Sequence, residues 1–312
     1  MPFDNIISRT DADVFIPVEE ATQVLEAAIQ ASAALSLFPQ VRMSTRTRRI
    51  PVLATLPVAY FVNGDVGLKQ TTEMAWAGKY MEAEEIAAIV PIPEAVLDDA
   101  DHDLWAEVRP RLAEAIGRTL DAAIFFGTNK PASWPQAVVP GALATGDNQF
   151  TRGTNTATEG GIAADVSDLF ATVEADGYEV DGLVAKGTYR GYMRNARDAN
   201  GILLTETAQG SIYGVRTIYA MAGMWPAGAG QPEAIAGDFT QGILGVRQDL
   251  TYKLLDQAVI TDDAGKVIYN LPQQDMLALR VTARYAWQVA NPPTPEQPDP
   301  AKRYPFSVML SA

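Results

Sequence analysis

The segment 46–85 alternates in polarity like a β-strand, yet it contains residues that a central strand does not tolerate. Pro51 and Pro57 would each remove a ladder hydrogen bond. The run Asn63-Gly64-Asp65 is a strong turn signal between two strands. These features predict a long hairpin, and two strands alone cannot bury their own faces. We therefore expect the hairpin to lie on something else, such as another subunit. Six residues recur on one side of the first limb: Arg46, Arg48, Ile50, Val52, Ala54 and Leu56.

A basic cluster opens this segment in a chain whose formal net charge is −14. A nucleic-acid patch normally adds stacking aromatic residues and more lysines, which the segment lacks, and a nuclear-localisation signal is a generic pattern. The third interpretation, which we favour, is charge complementarity with the acidic stretch 82–107, within or between subunits. The cluster comprises Arg42, Arg46, Arg48 and Arg49. The acidic stretch contains Glu82, Glu84, Glu85, Glu94, Asp98, Asp99, Asp101, Asp103 and Glu107.

Few residue types for catalysis are present, because the chain has no cysteine and a single histidine, His102. The acidic residues around His102 are compatible with a cation site, but the start of a helix explains them without a ligand. The carboxylates of Glu82, Glu84 and Glu85 are candidates for acid–base chemistry, although the sequence gives no separation for them. No phosphate-loop, dinucleotide, hydrolase-elbow or zincin motif occurs. We predict no catalytic residue, cofactor site or metal site.

The remaining chain mixes helices and strands, which makes the predicted fold class α+β. Spacing predicts a helical arm over 17–38 and a long spine helix over 101–126, with a kink at Pro110 and an end at Gly127. Apolar stretches are too short to span a membrane, and the N-terminus lacks the order of a signal peptide. We therefore expect a soluble protein. Further elements are expected as helices near 164–177 and 188–196, strands at 182–185, 213–221, 276–290 and 304–310, and turns at 198–201 and 262–266.

The order of these pieces resembles the major capsid proteins of tailed double-stranded-DNA bacteriophages with the Hong Kong 97-type fold. The resemblance rests on collinearity over nearly the whole chain rather than on one motif. The stretches that carry it include IPVLATLPVAYFVNGDVGLKQ, RLAEAIGRTLDAAIFFGT, DGLVAKGTYRGYMRNARDANGILL, GSIYGVRTIYA, AGDFTQGILGVRQDL, LALRVTARYAWQVANP and YPFSVML.

The resemblance implies a structural protein that self-assembles as pentamers and hexamers into an icosahedral shell around double-stranded DNA. It implies a location in the virion capsid, with assembly in the host cytoplasm. Residues 1–45 correspond to the N-terminal arm and 46–85 to the extended loop. The peripheral domain corresponds to 86–161 plus 248–312, with the spine helix 101–126, and the axial domain to 162–247. Possible partners are a separate scaffolding protein, a portal and decoration proteins, with packaged DNA held without sequence specificity and no membrane.

Charged residues of the loop, together with Arg42 just before it, are the expected inter-subunit contacts. They are Arg42, Arg46, Arg48, Arg49, Lys69, Glu82, Glu84 and Glu85. Some members of this family join subunits through a loop lysine, and Lys69 lies near the matching loop tip, but no acceptor can be identified and cross-linking is not predicted. The alternative function is an encapsulin-like compartment that encloses a cargo enzyme. A carboxylate-dependent hydrolase, based on the cluster near His102, is a third class.

Overall fold

A computed structural model describes residues 32–59, 61, 69, 71–99, 104–196, 211–220, 223–262 and 264–312. Most of the predicted arm helix, the turns at 63–65 and 198–201, and His102 lie outside these residues. The described helices are α1 (Ala33–Leu37), α2 (Glu94–Asp99), α3 (Leu104–Asp121), α4 (Val138–Thr145), α5 (Ile162–Ala175) and α6 (Tyr189–Arg194).

The strands confirm most of the positions expected from polarity patterns and turn signals. They are β1 (Gln40–Arg42), β2 (Thr47–Thr55), β3 (Ala75–Glu82), β4 (Glu84–Pro93), β5 (Gln149–Thr151), β6 (Gly182–Ala185), β7 (Ser211–Ile212), β8 (Val215–Tyr219), β9 (Pro232–Gly237), β10 (Gly242–Leu255), β11 (Val259–Thr261), β12 (Val267–Asn270), β13 (Met276–Val289) and β14 (Phe306–Leu310).

The spine helix α3 packs on a four-stranded sheet with the order β1-β10-β13-β4. Leu112 and Ile116 of the helix and Val281 and Ala283 of β13 are buried in one core. The helix ends where predicted, because Gly127 adopts φ 77°, which an L side chain rarely tolerates. Before that glycine, residues Ala122–Phe126 widen into a π-helix, for which the sequence carries no signal.

A six-stranded sheet has the order β5-β14-β9-β6-β8-β7. One of its faces packs on α5 and α6, where Leu183 and Met309 are buried. The other face, with Val184 and Val308, joins the core of the spine helix. The sequence-based division places β5 and β14 in the peripheral domain, whereas their hydrogen bonds make them strands of this sheet, because β14 pairs with both β9 and β5. The division into domains itself stays a prediction.

A buried carboxylate ties α1 to the spine helix. Asp121, the last residue of α3, is fully buried. Its oxygens accept hydrogen bonds from Ser32 Oγ at 2.6 Å, from Ala33 N at 2.9 Å and from Ala34 N at 3.0 Å. Amide groups in the first turn of a helix have no partner within the helix, so Asp121 satisfies donors that would otherwise be buried without one. The spine helix therefore fixes the position of α1.

Acidification should stabilise the folded subunit through this buried carboxyl group. Burial raises the pKa of the Asp121 carboxyl from 3.8 to about 6, although the three hydrogen bonds oppose the shift. Between these values the folded chain binds more protons than the unfolded chain, so stability rises as the pH falls. From pH 7 to pH 5 the expected gain is about 1 kcal/mol. It is measured by denaturant unfolding of the unassembled wild-type subunit against Asp121→Asn, which cannot titrate. Identical pH dependence of the two proteins would contradict it.

Candidate functional site

The predicted hairpin is present as a two-stranded ribbon of β2 and β3. Its register pairs Thr47 with Glu82 and Leu53 with Trp76, and Pro51 lies opposite Gly78. Pro51 is tolerated because the ribbon has free edges. A single residue, Ala83, separates β3 from β4, so the second limb of the hairpin runs directly into the four-stranded sheet.

The base of the ribbon is anchored on the end of that sheet. Met81 is buried against Met43 and Ala286, and Ile50 packs beside them. Gln288 Nε2 donates to the Tyr80 carbonyl at 2.8 Å. Lys79 Nζ donates to the Val289 carbonyl at 2.9 Å. Burial, joined by the nearby positive charge of Arg303, lowers the pKa of the Lys79 ammonium group.

Arg46 meets two of the acidic residues that the sequence singled out. Its Nη2 atom lies 2.8 Å from Glu82 Oε1 and 3.4 Å from Glu84 Oε1. Glu84 Oε1 also accepts from Ser133 Oγ at 2.8 Å, and the Glu82 carbonyl accepts from Trp134 Nε1 at 3.1 Å. This network joins the start of β2, the junction of β3 and β4, and the loop after the spine helix. The Arg46 side chain is still 61% exposed, so part of it is open to a partner.

The other arginines lie apart from the acidic stretch. Arg48 Nη1 donates to the Arg42 carbonyl at 2.8 Å, which braces the turn before β2. Arg49 lies across the ribbon over Gly78, where a Cβ atom would come within 2.9 Å of the Arg49 Cζ atom. The absence of a side chain at Gly78 therefore lets the guanidinium group rest on the strand.

Lys69 and Glu85 complete the predicted set. Lys69 is exposed, and in the described part of the chain no hydrogen bond or ion pair joins it to the other predicted residues. Glu85 is exposed on β4, opposite Arg284 of β13. Whether any of the eight residues contacts a neighbouring subunit stays a prediction, since the structure holds one chain.

The sequence reasoning missed an aromatic face on the ribbon. Trp76 and Tyr80 are 65% and 61% exposed. Trp76 pairs with Leu53 and Tyr80 pairs with Arg49, so these side chains share the face opposite the anchored one. Trp, Tyr and Arg are the residues most enriched in the energetically important parts of protein interfaces. Their spacing of four residues on a strand was a usable signal, because residues i and i+4 point the same way.

A metal site and a membrane-spanning helix, which would indicate other protein classes, are not found among the described residues. Among the described residues, no three His, Asp or Glu side chains are grouped so as to hold a metal ion. Asp101, His102 and Asp103, the core of the alternative cation site, lie outside those residues. None of the described helices is long and apolar enough to cross a membrane.

Comparisons with known proteins point to one family. A family model described as the phage capsid family matches residues 12–293. The major capsid protein of Staphylococcus phage 80alpha is 25% identical over 300 residues, which cover 92% of this chain and 86% of that protein. A solved chain from Mycobacterium phage Bobi is 35% identical with a TM-score of 0.84, covering 99% of both chains. One from Microbacterium phage Oxtober96 is 34% identical with a TM-score of 0.83, covering 99% of this chain and 100% of that one.

Proposed function

Because the chain belongs to the phage capsid family, we propose that its copies assemble as pentamers and hexamers into an icosahedral shell that encloses double-stranded DNA. The protein is a structural capsid protein with the Hong Kong 97-type fold and not an enzyme. Its place is the virion capsid. These findings confirm the resemblance, and they favour a phage capsid over the encapsulin-like compartment and the hydrolase.

The observation that carries the proposal is a hairpin ribbon without a core of its own. Beyond its anchored base it exposes Trp76 and Tyr80 on one face, and further along Val58 and Phe61 are 70% and 102% exposed. Exposed apolar area of this kind marks a contact surface. We propose that the ribbon lies on a neighbouring subunit, and that Arg42 and the seven predicted charged residues of the loop set the register of that contact.

The proposed shell assigns each part of the chain to a domain of the capsid subunit. We propose that 1–45 is the N-terminal arm and 46–85 the extended loop, that 86–161 and 248–312 form the peripheral domain, and that 162–247 forms the axial domain at the symmetry axes. Strands β5 and β14 are proposed to join the axial sheet, in line with their hydrogen bonds. Scaffolding, portal and decoration proteins are proposed partners in the host cytoplasm.

The net charge of −14 supports a shell whose inner wall does not hold the packaged DNA tightly. An inner wall that repels phosphate lets DNA move during filling, and no sequence-specific binding is needed. Strong, salt-sensitive binding of free DNA to the inner face of assembled shells would count against this part of the proposal.

Electron microscopy of the expressed protein tests the proposed assembly. Closed shells with five-fold and six-fold capsomers are expected. A stable monomer with hydrolytic activity under conditions that assemble other capsid proteins would overturn the proposal. Shells that copurify with a cargo enzyme and never with a portal would favour the compartment instead.

Reversing the charge of Arg46 and Arg48 together should block assembly or change the shell size. The subunit should stay folded, because an exposed pair such as Arg46–Glu82 contributes at most about 1 kcal/mol. Assembly is measured by sedimentation and microscopy, and folding by denaturant unfolding. Lys302→Glu combined with Arg190→Glu makes the same charge change at exposed positions elsewhere and should assemble. Normal shells from the Arg46 and Arg48 variant would refute the role of these arginines between subunits.

A further inference from the structure

The outer face of the four-stranded sheet carries a row of basic side chains, Arg280, Arg284 and Lys253, which we call the basic stripe. Arg280 and Arg284 are four residues apart on β13, and Lys253 of β10 is the direct cross-strand partner of Arg280. Residues i and i+4 of a strand, and direct cross-strand pairs, share a face. The opposite face holds Val281 and Ala283, which are buried under the spine helix.

Two arginines of the basic stripe have an unpaired nitrogen atom. The Nε atoms of Arg280 and Arg284 are buried without a hydrogen bond, and neither arginine has an ion pair in the described part of the chain. Glu85 lies across from Arg284 without pairing with it, so the face keeps an excess of positive charge. Buried donors are usually satisfied in native assemblies. An acceptor that approaches from outside would supply the missing interaction.

The chain covers this part of the sheet only in part. At the level of Ala286, Met43 and Met81 cover the outer face. Beyond Arg284 the cover is partial: Arg280 is half-buried, and on the next strands Lys253 is exposed and Ile89 is 43% exposed. This part of the face therefore combines basic side chains with an apolar residue, Ile89, beside them.

A matching surface exists at the far end of the same sheet. Helix α2 follows β4 and exposes Glu94, Asp98 and Asp99, with Val96 49% exposed among them. None of these three acidic residues has an ion pair in the described part of the chain. Acidic groups around an apolar residue are the complement of the basic stripe around Ile89.

The two surfaces of one chain lie at different heights along β4. Arg280 pairs with Ile89 and Arg284 pairs with Glu85, four and eight residues before the end of β4 at Pro93. At about 3.3 Å per residue, they lie roughly 13 and 26 Å from the start of α2. For Arg284 this separation exceeds the reach of the two side chains, so its ion pair with α2 needs a second copy.

We propose that the basic stripe of one subunit binds helix α2 of a second copy, with Arg280 and Arg284 paired to Asp98 and Asp99 and with Ile89 against Val96. The proposal rests on the proposed shell, and names one of its contacts. Each copy offers one surface of each kind, so a head-to-tail contact of this type links successive copies in an assembly.

Charge exchange tests the pairing. The variants Arg280→Glu with Arg284→Glu, and Asp98→Lys with Asp99→Lys, should each lose at least tenfold in the yield of closed shells. The chain with all four substitutions should recover most of that yield, because the charges attract again in the opposite sense. Asp147→Lys with Glu174→Lys changes exposed acids elsewhere by the same charge and should assemble like the wild type.

The outcomes separate this contact from the proposed function. If the wild type forms no shells, the assembly proposal fails and takes this one with it. If the wild type, the double arginine variant and the double aspartate variant all form shells, this contact alone is overturned. Two defective variants whose combination is no better than either also overturn the pairing. The variant in α2 keeps the test valid if the arginine variant does not fold, because Asp98 and Asp99 lie exposed on a surface helix; its unfolding midpoint should match the wild type.

Discussion

Replacing Phe38 by alanine should lower the free energy of unfolding of the subunit by about 3–5 kcal/mol. Phe38 follows α1 and lies 3% exposed at the centre of an aromatic cluster. Its ring centroid is 4.6 Å from that of Trp287, 5.1 Å from Phe239, 5.9 Å from Phe125 and 6.1 Å from Phe306. These rings come from the spine segment, the two sheets and the connection between them, so the cavity would open where all of these elements meet.

The matched control for this substitution lies in the same chain. Phe61→Ala removes the same side chain from a position that is 102% exposed, so the stability of the isolated subunit should not change. Denaturant unfolding of both variants, below the concentration at which subunits assemble, gives the two values. A loss of less than 1 kcal/mol in Phe38→Ala would mean that the cluster does not hold the elements together.

Asp121→Ala should have the second largest effect, a loss of about 2–4 kcal/mol. The hydroxyl of Ser32 and the amides of Ala33 and Ala34 would lose their acceptor while staying buried. Helix α1 is too short to persist without it. Hydrogen exchange should therefore speed up at the amides of Ala33–Leu37 well before it does in the spine helix.

Two further substitutions define the role of the carboxylate. Asp121→Asn keeps one acceptor oxygen, so its free energy of unfolding should lie between those of the wild type and Asp121→Ala. Asp256→Ala removes an exposed carboxylate and should leave the exchange of α1 unchanged. Unaltered protection of Ala33–Leu37 in Asp121→Ala would show that apolar packing alone attaches this segment.

Sequence patterns predicted those helices and strands that depend on residues close together in the chain. The hairpin ribbon, the strand over 182–185, the long strand before the proline-rich loop and the end of the spine helix at Gly127 were all foreseen from polarity, turn residues or glycine. The π-helix of Ala122–Phe126 was not, because it results from packing rather than from a residue pattern. Whether Pro110 bends the helix stays a prediction. The pairing of β14 with β5 was missed, since these strands are far apart in the chain.

The candidate site was also predictable only as far as local sequence patterns reached. Charge alone suggested that the arginines and the acidic stretch belong together, and Arg46 does pair with Glu82 and Glu84. Sequence could not tell which arginine would do so, because that depends on the register of two strands. It also gave no sign of the basic stripe, since Arg280 and Arg284 become neighbours of Lys253 only through the pairing of β10 with β13.

The single-residue junction at Ala83 has a mechanical consequence. Because only Ala83 separates β3 from β4, tension on the ribbon is carried along the backbone into a strand that is paired with β13 over ten registered positions, Glu84 to Pro93. A pull along a strand loads its ladder hydrogen bonds in shear, so they resist together, whereas a pull from the side would break them one after another. Internal pressure that stretches a shell would therefore be borne by the strongest direction of the sheet.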